Sequence, residues 1–470
     1  MKYSSLSIFF IFLSINLFCQ ENVIDENIQQ NLIINKIIIS GNKVTKNHII
    51  IRELEFKAKD TISARNLNVL IKNSKQNLLN ISLFNFVTID TSYAGFQKIN
   101  ININVVERWY TWPVPVFEIE ERNFNTWWET KNLERASYGF YLLRNNFRGR
   151  KETLKFLLCL GYNQSYGLDY EIPYLNKKQT IGLKFSAVYT QNHEVAYNTL
   201  NDTLAYYKTE NNYLKKEFLS SIELIIRKKI HNTHNIKLSY NSYNFDDTLV
   251  FLNKDYSYFG RENLSYFSFY YKFKNDYRNY SSYPLTGHYF DIEINKNGFG
   301  ILKDECLDVF YIKSVFRKYW KLSNKFYFAS GVSGKLSSKS FQPYFMQEGL
   351  GYGRNFVRGY EYYVVDGQNY AMLKTNFKYE LLPTKIHTFK FLKSEKFNKI
   401  HYAFYLNIFA DVGYVEDVQF YKNNTLSNET LFGSGIGLDF VTYYDKVLRI
   451  EYSINKMKET GVFLHFIAPI

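Results

Sequence analysis

The stretch Phe267-Ser-Phe-Tyr-Tyr-Lys-Phe-Lys274 places an aromatic ring at every second position, with mostly small or charged side chains between the rings. This period of two predicts a β-strand with one apolar face and one polar face. Residues 181–186 and 447–454 repeat the pattern. Periodicity alone leaves two folds open, because the apolar face meets a core in a soluble sandwich but meets lipid in a membrane barrel.

Size, composition and an export signal favour the barrel. Tyr and Phe number 42 and 41, enough for the aromatic girdles of a membrane barrel, whereas Pro numbers only 7. Roughly 360 residues follow position 108, and at roughly 22 residues per strand and connection they supply roughly 16 strands. The sequence therefore predicts an all-β transmembrane barrel of about 16 antiparallel strands over residues 109–470. Residues 193–216 and 246–262 are expected to be long connections at its outer face.

Residues 1–20 are predicted to be a signal peptide. Lys2 precedes an apolar core at residues 6–18, which is too short to span a membrane comfortably. The bulky Phe18 before Cys19 favours simple cleavage over a lipoprotein signal. The mature chain is thus expected to leave the cytosol, with residues 21–31 as a linker.

Residues 32–108 have the pattern of a small α+β domain. A strand, two helices and two strands are predicted in that order, at residues 33–40, 46–53, 63–79, 84–91 and 98–107. This order, together with Ile-Ile-Ile-Ser-Gly-Asn at positions 37–42 and Val-Val-Glu-Arg at positions 105–108, resembles a POTRA domain. The resemblance implies a periplasmic module that binds client polypeptides by strand addition to an exposed sheet edge. The alternative is a generic α+β domain without a client.

The segment Gly351-Tyr-Gly-Arg-Asn-Phe-Val-Arg-Gly-Tyr-Glu361 interrupts the strand pattern and predicts a loop, since its glycines permit positive φ and close backbone approach. Within it, Val357-Arg-Gly-Tyr360 resembles the (V/I)RG(F/Y) motif of the BamA/TamA-like outer-membrane assembly superfamily. Asn407-Ile-Phe-Ala-Asp-Val-Gly413 resembles the strand motif of that superfamily whose aspartate faces the lumen. Residues 276–287 resemble its D-x-R…P-x-x-G hairpin.

The resemblance implies that the loop is the sixth extracellular loop and that Arg358 meets Asp411 inside the barrel. Such a charge-assisted contact is strong in a partly desolvated lumen, and breaking it leaves a charge unpaired. The alternative is an Arg358 side chain that extends to solvent. The implied site residues are Val357, Arg358, Gly359, Tyr360 and Glu361 in the loop, Asp411 as the partner of Arg358, and Asp276, Arg278, Pro284 and Gly287 in the hairpin.

The chain departs from the family pattern in two places. The family often ends on an aromatic residue, whereas here Phe463-Leu-His-Phe466 is followed by Ile-Ala-Pro-Ile470. The best-known members carry several POTRA domains, whereas this sequence has the pattern of one.

Other site classes find little support in the sequence. The net charge of +14 is spread along the chain without a nucleic-acid-binding motif, so no nucleic acid partner is expected. Residues 331–334 lack the spacing of a nucleophile elbow, and Gly433-Ser-Gly-Ile-Gly437 lacks the helix that a dinucleotide site needs. The sequence predicts no catalysis, no cofactor and no metal site. It leaves a disulfide between Cys159 and Cys306 undecided.

The function implied by the resemblance is insertion of outer-membrane proteins or translocation of polypeptides. The implied location is the outer membrane of a Gram-negative-type cell, with the amino-terminal domain in the periplasm. The expected partners are outer-membrane lipid, client outer-membrane or secreted polypeptides at the POTRA sheet edge, and accessory periplasmic or lipoprotein subunits. A passive or lipid-handling pore with a structural POTRA domain is the alternative.

Overall fold

The computed structural model describes residues 31–119, 136–303, 305–338, 341–392, 394, 396–419, 421–442 and 446–466. The expected signal peptide and nearly all of the expected linker lie outside these residues. Within the described part of the chain, no helix is long and apolar enough to cross a membrane. The thiols of Cys159 and Cys306 are not bonded to each other.

The amino-terminal domain is a four-stranded sheet packed against two helices. Its elements are β1 (Asn31–Ser40), α1 (Asn47–Ile51), β2 (Thr61–Ser63), α2 (Ala64–Asn80), β3 (Phe84–Gly95) and β4 (Lys98–Glu107). The sheet order is β2-β1-β4-β3, in which β1 and β4 are parallel and the other neighbours antiparallel. All five expected elements are present, and the three-residue strand β2 was missed because it is too short to carry a pattern.

The core of this domain follows from the alternation in β4. Ile99, Ile101 and Ile103 point to one face and are almost fully buried, where they pack with Leu67 and Leu78 of α2. Strand β3 forms one edge of the sheet, and most of its residues from position 88 onward are exposed. The domain therefore presents a long strand edge that is paired on one side only.

Sixteen antiparallel strands form a second sheet. In chain order they are β5 (Thr111–Ile119), β6 (Ala136–Phe147), β7 (Glu152–Gly161), β8 (Gln164–Ile172), β9 (Ile181–Asn192), β12 (Lys215–Ile226), β13 (Asn232–Phe245), β14 (Asn263–Asp276), β15 (Gly287–Asn297), β16 (Val309–Lys321), β17 (Phe326–Ser337), β18 (Asn369–Thr388), β19 (Lys399–Glu416), β20 (Thr430–Thr442), β21 (Lys446–Asn455) and β22 (Thr460–Phe466). Two further strands, β10 (Glu194–Leu200) and β11 (Thr203–Lys208), form a separate hairpin. The expected number of barrel strands is confirmed.

The burial pattern decides between the sandwich and the barrel. In β19, Leu406 and Ile408 are about half exposed on the outer face, whereas Asn407 and Asp411 on the other face are fully buried. The same inversion holds in β21, where Glu451 is buried between exposed apolar neighbours. Apolar side chains outside and charged side chains inside are typical of a membrane barrel and opposite to a soluble core.

The connections differ in length at the two ends of the barrel. The turns after β6, β8, β12, β14 and β18 lie beside the amino-terminal domain, whereas the longer connections lie at the other end. The two expected long connections are both there: residues 193–214 contain the β10–β11 hairpin, and residues 246–262 contain α3 (Asp247–Leu252). The longest connection joins β17 to β18 and contains the glycine-rich segment.

A buried ion pair attaches the amino-terminal domain to the barrel. Glu53, which follows α1 and is fully buried, accepts hydrogen bonds from Arg227 at 2.6 and 2.7 Å and from the Tyr174 hydroxyl at 3.2 Å. Arg52 donates to the carbonyl oxygens of Gln179 and Arg227 at 3.1 and 2.7 Å. Two different barrel turns therefore contact one short segment of the domain.

A second contact lies near the junction of the domains. The Glu107 carboxylate accepts from the Thr45 backbone N–H at 2.7 Å, and Asn146 in the barrel donates to the Thr45 hydroxyl at 2.8 Å. The Lys46 N–H donates to the carbonyl oxygen of Gly149 at 2.9 Å. Together the two contacts fix both position and rotation of the domain beneath the barrel.

Glu53→Gln should loosen the amino-terminal domain, because it leaves the Arg227 guanidinium without its carboxylate in a buried interface. Removing one partner of a buried pair costs roughly 3–5 kcal/mol. Hydrogen exchange of the α1 amides in detergent-solubilised protein should rise. Glu55→Gln is the matched control, since its half-buried carboxylate lies 3.9 Å from His231 and makes a weaker contact with the barrel. Equal exchange in the two variants would contradict the prediction.

The same pair should make the attachment pH-dependent. Burial by itself raises the pKa of Glu53, but the Arg227 guanidinium outweighs burial, and the net pKa lies below the ordinary value. Because the folded-state pKa is depressed, the stabilisation is fully present above the ordinary pKa of glutamate and is lost as the pH falls through the folded value. Exchange of the α1 amides, corrected for intrinsic rates, should rise in acid for the native chain and change less in Glu53→Gln.

Candidate functional site in the barrel lumen

The glycine-rich segment folds back into the barrel. It belongs to the sixth connection at the outer end, and Val357, Arg358 and Tyr360 are all at most 3% exposed. Gly359 adopts φ of +95°, which turns the chain directly after Arg358. The carbonyl oxygen of Gly359 accepts from the Asn455 side chain at 3.0 Å. The loop is therefore held against the inner faces of the last strands.

The Arg358 guanidinium uses all of its N–H groups. Nε and Nη2 donate to the two carboxylate oxygens of Asp411 at 2.7 and 2.6 Å, a bidentate contact between β19 and the loop. Nη1 donates to Asn376 at 3.0 Å and to Glu451 at 3.3 Å, and Nη2 also reaches the Thr375 carbonyl oxygen at 3.0 Å. One side chain thereby joins the loop to β18, β19 and β21.

An aromatic ring and a second cation complete the surroundings of Arg358. The guanidinium carbon lies 3.8 Å from the centre of the Phe409 ring, a cation–π contact. The Lys374 ammonium lies 4.0 Å from Asp411 and 4.5 Å from the Phe356 ring. The Arg358 guanidinium is therefore surrounded in the lumen by the Phe409 ring and the Asp411 carboxylate, which take the place of water around its delocalised charge.

Arg358 is one end of a longer charged network. Glu451 lies 3.3 Å from Arg358 and 3.4 Å from Arg449, which in turn donates to both oxygens of Asp439 at 2.6 and 2.8 Å. Asp439 also accepts from Asn407 at 2.9 Å. The opposite charges alternate along this path, so that each carboxylate is flanked by a donor.

The hairpin motif lies at the other end of the same network. Arg278 donates to both oxygens of Asp276 at 2.8 and 2.7 Å, which closes the turn between β14 and β15. Asn80 at the end of α2 accepts from the Ser281 N–H of this turn at 3.0 Å. The turn carries Tyr283 into the lumen, where its hydroxyl donates to Asp439 at 2.6 Å.

The remaining hairpin residues shape the turn. Pro284 is buried directly after Tyr283. Gly287 adopts φ of +102°, and a Cβ there would lie 2.0 Å from the Tyr277 carbonyl oxygen. Neither residue contributes a charge, so their part is to fix the backbone that presents Tyr283.

Two strand glycines make room for the loop. A Cβ on Gly433 of β20 would lie 1.7 Å from the Arg358 carbonyl oxygen, and one on Gly413 of β19 would lie 2.6 Å from a Val357 methyl group. Gly433 opens the Gly433-Ser-Gly-Ile-Gly437 segment, which lies within β20 as expected for a strand. A glycine is needed at position 433 because the backbone of the loop lies directly on the backbone of β20.

The outer connections interlock above the lumen. The Asp202 carboxylate in the β10–β11 turn accepts from the Thr425 N–H and hydroxyl at 3.0 and 2.7 Å, and the Asp202 carbonyl oxygen accepts from the Val364 N–H at 2.9 Å. Thr199 and Tyr344 share a hydrogen bond of 2.8 Å between their hydroxyls. Three connections that are far apart in sequence thus cover the outer end of the barrel.

The hydrogen-bonded ladder has two ends. It runs from β22 through β21 and onward to β5, and among the described residues no ladder joins β22 back to β5. With 7 residues, β22 is much shorter than the 20-residue β18, and Val462, Leu464 and Phe466 are exposed on its outer face. Among the residues that the structure describes, the seam between first and last strand is therefore the one strand boundary of the barrel without ladder hydrogen bonds.

The structure brings together the loop motif and Asp411, and it places the hairpin motif at the opposite end of the charged network. Sequence reasoning missed Glu451, Arg449, Asp439 and Tyr283, which connect the two. The alternation of Arg449 and Glu451 along β21 was visible, but it identifies only the face on which they lie and not their partners.

Arg358→Ala should destabilise the barrel by roughly 3–5 kcal/mol, because Asp411 would lose its bidentate partner in the lumen and keep only the Lys374 ammonium at 4.0 Å. The stability of Arg358→Lys should lie between that of wild type and that of Arg358→Ala. A lysine ammonium keeps the positive charge but cannot donate to both carboxylate oxygens of Asp411 in the fork geometry of a guanidinium. Arg354→Ala, an exposed arginine in the same loop, is the control. The measurement is the temperature at which the folded band is lost in semi-native electrophoresis. An Arg358→Ala protein as heat-resistant as Arg354→Ala would overturn this reasoning.

Gly433→Ala should displace the loop although it removes no polar group, since the new methyl group occupies the space of the Arg358 carbonyl oxygen. The folded band should again be lost at lower temperature than in the native protein. Gly167→Ala provides the comparison, because a Cβ at that barrel position meets only side chains at 3.4 Å or more. If the two alanine variants behave alike, the loop does not depend on the flat surface of β20.

Comparison with known proteins agrees with this architecture. Residues 32–108 match the POTRA family, described as surface antigen variable number repeat. BamA from Haemophilus ducreyi lacking POTRA domains 1–3 is similar with a TM-score of 0.52 and 14% identity, over 93% of this chain and 84% of that chain. CdiB from Escherichia coli is similar with a TM-score of 0.52 and 11% identity, over 93% of this chain and 76% of that chain. Comparison with curated protein sequences finds no match. By its fold, therefore, this chain is similar to these BamA and CdiB structures, with a domain that matches the POTRA family ahead of a 16-stranded β-barrel.

Proposed function

We propose that the protein is a non-enzymatic factor that inserts proteins into the outer membrane of a Gram-negative-type cell or moves polypeptides across it. Client polypeptides would dock on the amino-terminal domain in the periplasm, and their strands would pair next at the barrel seam. Outer-membrane lipid would surround the apolar belt. Accessory periplasmic or lipoprotein subunits belong to the same proposal.

The observation that carries the proposal is the ladder that ends at β5 and β22. A strand edge with unpaired N–H and C=O groups is a template for another strand. Strand β3 of the POTRA domain offers a second such edge. The Glu53–Arg227 pair holds these two edges in a fixed relation. A client polypeptide could therefore pair first with β3 and then with the strand edges at the barrel seam.

The contents of the lumen support the same reading over a passive pore. Arg358 and its partners fill the interior at the level of β18, β19 and β21. The interlocked connections around Asp202 cover the outer end. Solute flow requires a continuous wet path, and both features obstruct one. In the proposed mechanism the loop keeps the barrel rigid on the β18–β21 side while the seam opens.

Depletion of the protein should lower the amount of other barrel proteins in the outer membrane. Wild type and Arg354→Ala should restore that amount, whereas Arg358→Ala should not. The purified chain in a planar bilayer should conduct ions poorly. Unchanged levels of barrel proteins on depletion, together with a large steady conductance, would favour a pore and overturn the proposal.

The docking step has its own readout in the same cells. A photo-reactive side chain at Thr91, exposed on the edge strand β3, should crosslink to a newly exported barrel protein carrying an affinity tag. The same probe at Lys75, exposed on α2 away from the sheet edge, is the control. Equal crosslinking at the two positions would argue against strand addition at β3.

A further inference from the structure

Three side chains converge inside the barrel, one of them a member of the charged network described above. They are Glu361 at the end of the loop motif, Glu451 of β21 and His465 of β22. One ligand atom from each lies within 4.8 Å of the other two. We propose that Glu361, Glu451 and His465 bind a Zn²⁺ ion that ties the sixth loop to the last strand.

Two of the three separations match those around a single metal ion, and the third is within 4.8 Å. His465 Nε2 lies 3.5 Å from Glu361 Oε1 and 3.3 Å from Glu451 Oε2. Ligands bound to Zn²⁺ at roughly 2.0–2.2 Å in tetrahedral geometry are separated by roughly 3.3–3.6 Å. An imidazole nitrogen with two carboxylate oxygens suits zinc, whereas magnesium and calcium prefer oxygen ligands alone.

Each ligand is oriented by a neighbouring group. The second oxygen of Glu361 accepts from the Gly359 N–H at 2.8 Å, and the second oxygen of Glu451 accepts from Arg358 at 3.3 Å. The His465 ring stacks on Phe356, with centres 5.4 Å apart and planes 24° from parallel. In metalloproteins, contacts of this kind from neighbouring groups orient the side chains that bind the metal.

The three oriented atoms contact one another. Glu361 Oε1, Glu451 Oε2 and His465 Nε2 are buried, and within the described part of the chain their polar contacts are the 3.5 and 3.3 Å separations from His465 Nε2 to the two carboxylate oxygens, with no further hydrogen-bond partner. Glu451 is fully buried, and an unsatisfied carboxylate oxygen there is costly. A metal ion at the centre of the triangle would satisfy all three atoms at once.

The competing arrangement is a protonated His465 between the two carboxylates. Arg358 is paired with Asp411 and Arg449 with Asp439, each through a bidentate contact, and the Lys374 ammonium lies 4.0 Å from Asp411. A metal ion and a protonated imidazole would each place positive charge between Glu361 and Glu451, so metal binding has to be measured directly.

A cavity in the lumen borders the site. A lumenal cavity of about 590 Å³ is lined by Glu451 and His465 together with Arg358 and Lys374. It gives an ion a route to the ligands and leaves room for water as the fourth ligand. Sequence analysis found no metal signal because the three ligands are far apart in the chain and do not share a motif.

The metal site would hold β22, the last strand, which lies at the seam. Among the described strands β22 pairs only with β21, and Glu361 would add a metal-bridged contact between the loop and β22. Metal occupancy would then set how readily the last strand moves. This role rests on the proposed function, whereas the site itself does not.

The test is Zn²⁺ binding to the full chain, purified in detergent and first freed of metal with a chelator. Wild type should bind one Zn²⁺ per chain by calorimetry and elemental analysis. Glu361→Gln and His465→Gln should each weaken binding by more than the roughly 10- to 100-fold loss typical of outer contacts. Glu459→Gln, an exposed carboxylate in the adjacent turn, should bind like wild type.

Two further readouts guard against a variant that fails to fold. Co²⁺ added to the unmodified chain should give the visible absorption of a tetrahedral site. Zn²⁺ should raise the temperature at which wild type loses its folded band and should leave His465→Gln unchanged. Absence of stoichiometric metal in wild type, or equal affinity in His465→Gln, would overturn the site. None of these measurements needs a client, so failure of the proposed function would not affect them.

Discussion

The structure depends on placing one guanidinium inside a barrel. A buried arginine keeps its charge, so every N–H that leaves water must find an acceptor. The acceptors for Arg358 come from β18, β19 and β21, and they are brought into reach by glycines in β19 and β20 that let the loop lie flat on the strands. Arg449 and Asp439 are buried as well, and each also needs a polar partner. Arg449 donates to Asp439, and Asp439 accepts from Tyr283 at the far end of the lumen.

This interior explains why the rest of the barrel is arranged asymmetrically. Two of the strands that contact the loop, β18 and β19, are the longest described strands of the barrel, with 20 and 18 residues, and polar side chains connect them to β21 through the lumen. The last strand reaches this network through His465, which lies 3.3 Å from Glu451, and in the described residues the first and last strands are not paired with each other. The position of this one loop thus makes the barrel rigid at β18–β21 and leaves the seam between β5 and β22 on the other side.

Sequence periodicity predicted the strands well because it depends only on neighbouring residues. The inward Asn407 and Asp411 and the outward Leu406 and Ile408 follow directly from alternation in β19. Which inward residues meet is a different question, since it depends on curvature and register between distant strands. The contact of Arg358 with Asp411 was expected only from the family resemblance, whereas its contact with Glu451 and the reach of Tyr283 to Asp439 had no signal in the sequence. The strand β2 was missed for a simpler reason, since three residues set no period.

The way Arg358 is surrounded has a consequence for biogenesis. A guanidinium enclosed by three strands and a ring cannot be threaded into place after those strands have closed, because it would have to shed water before meeting its acceptors. Strands β18, β19 and β21 therefore have to close around the loop, because the burial of Arg358 and the pairing of these strands depend on each other.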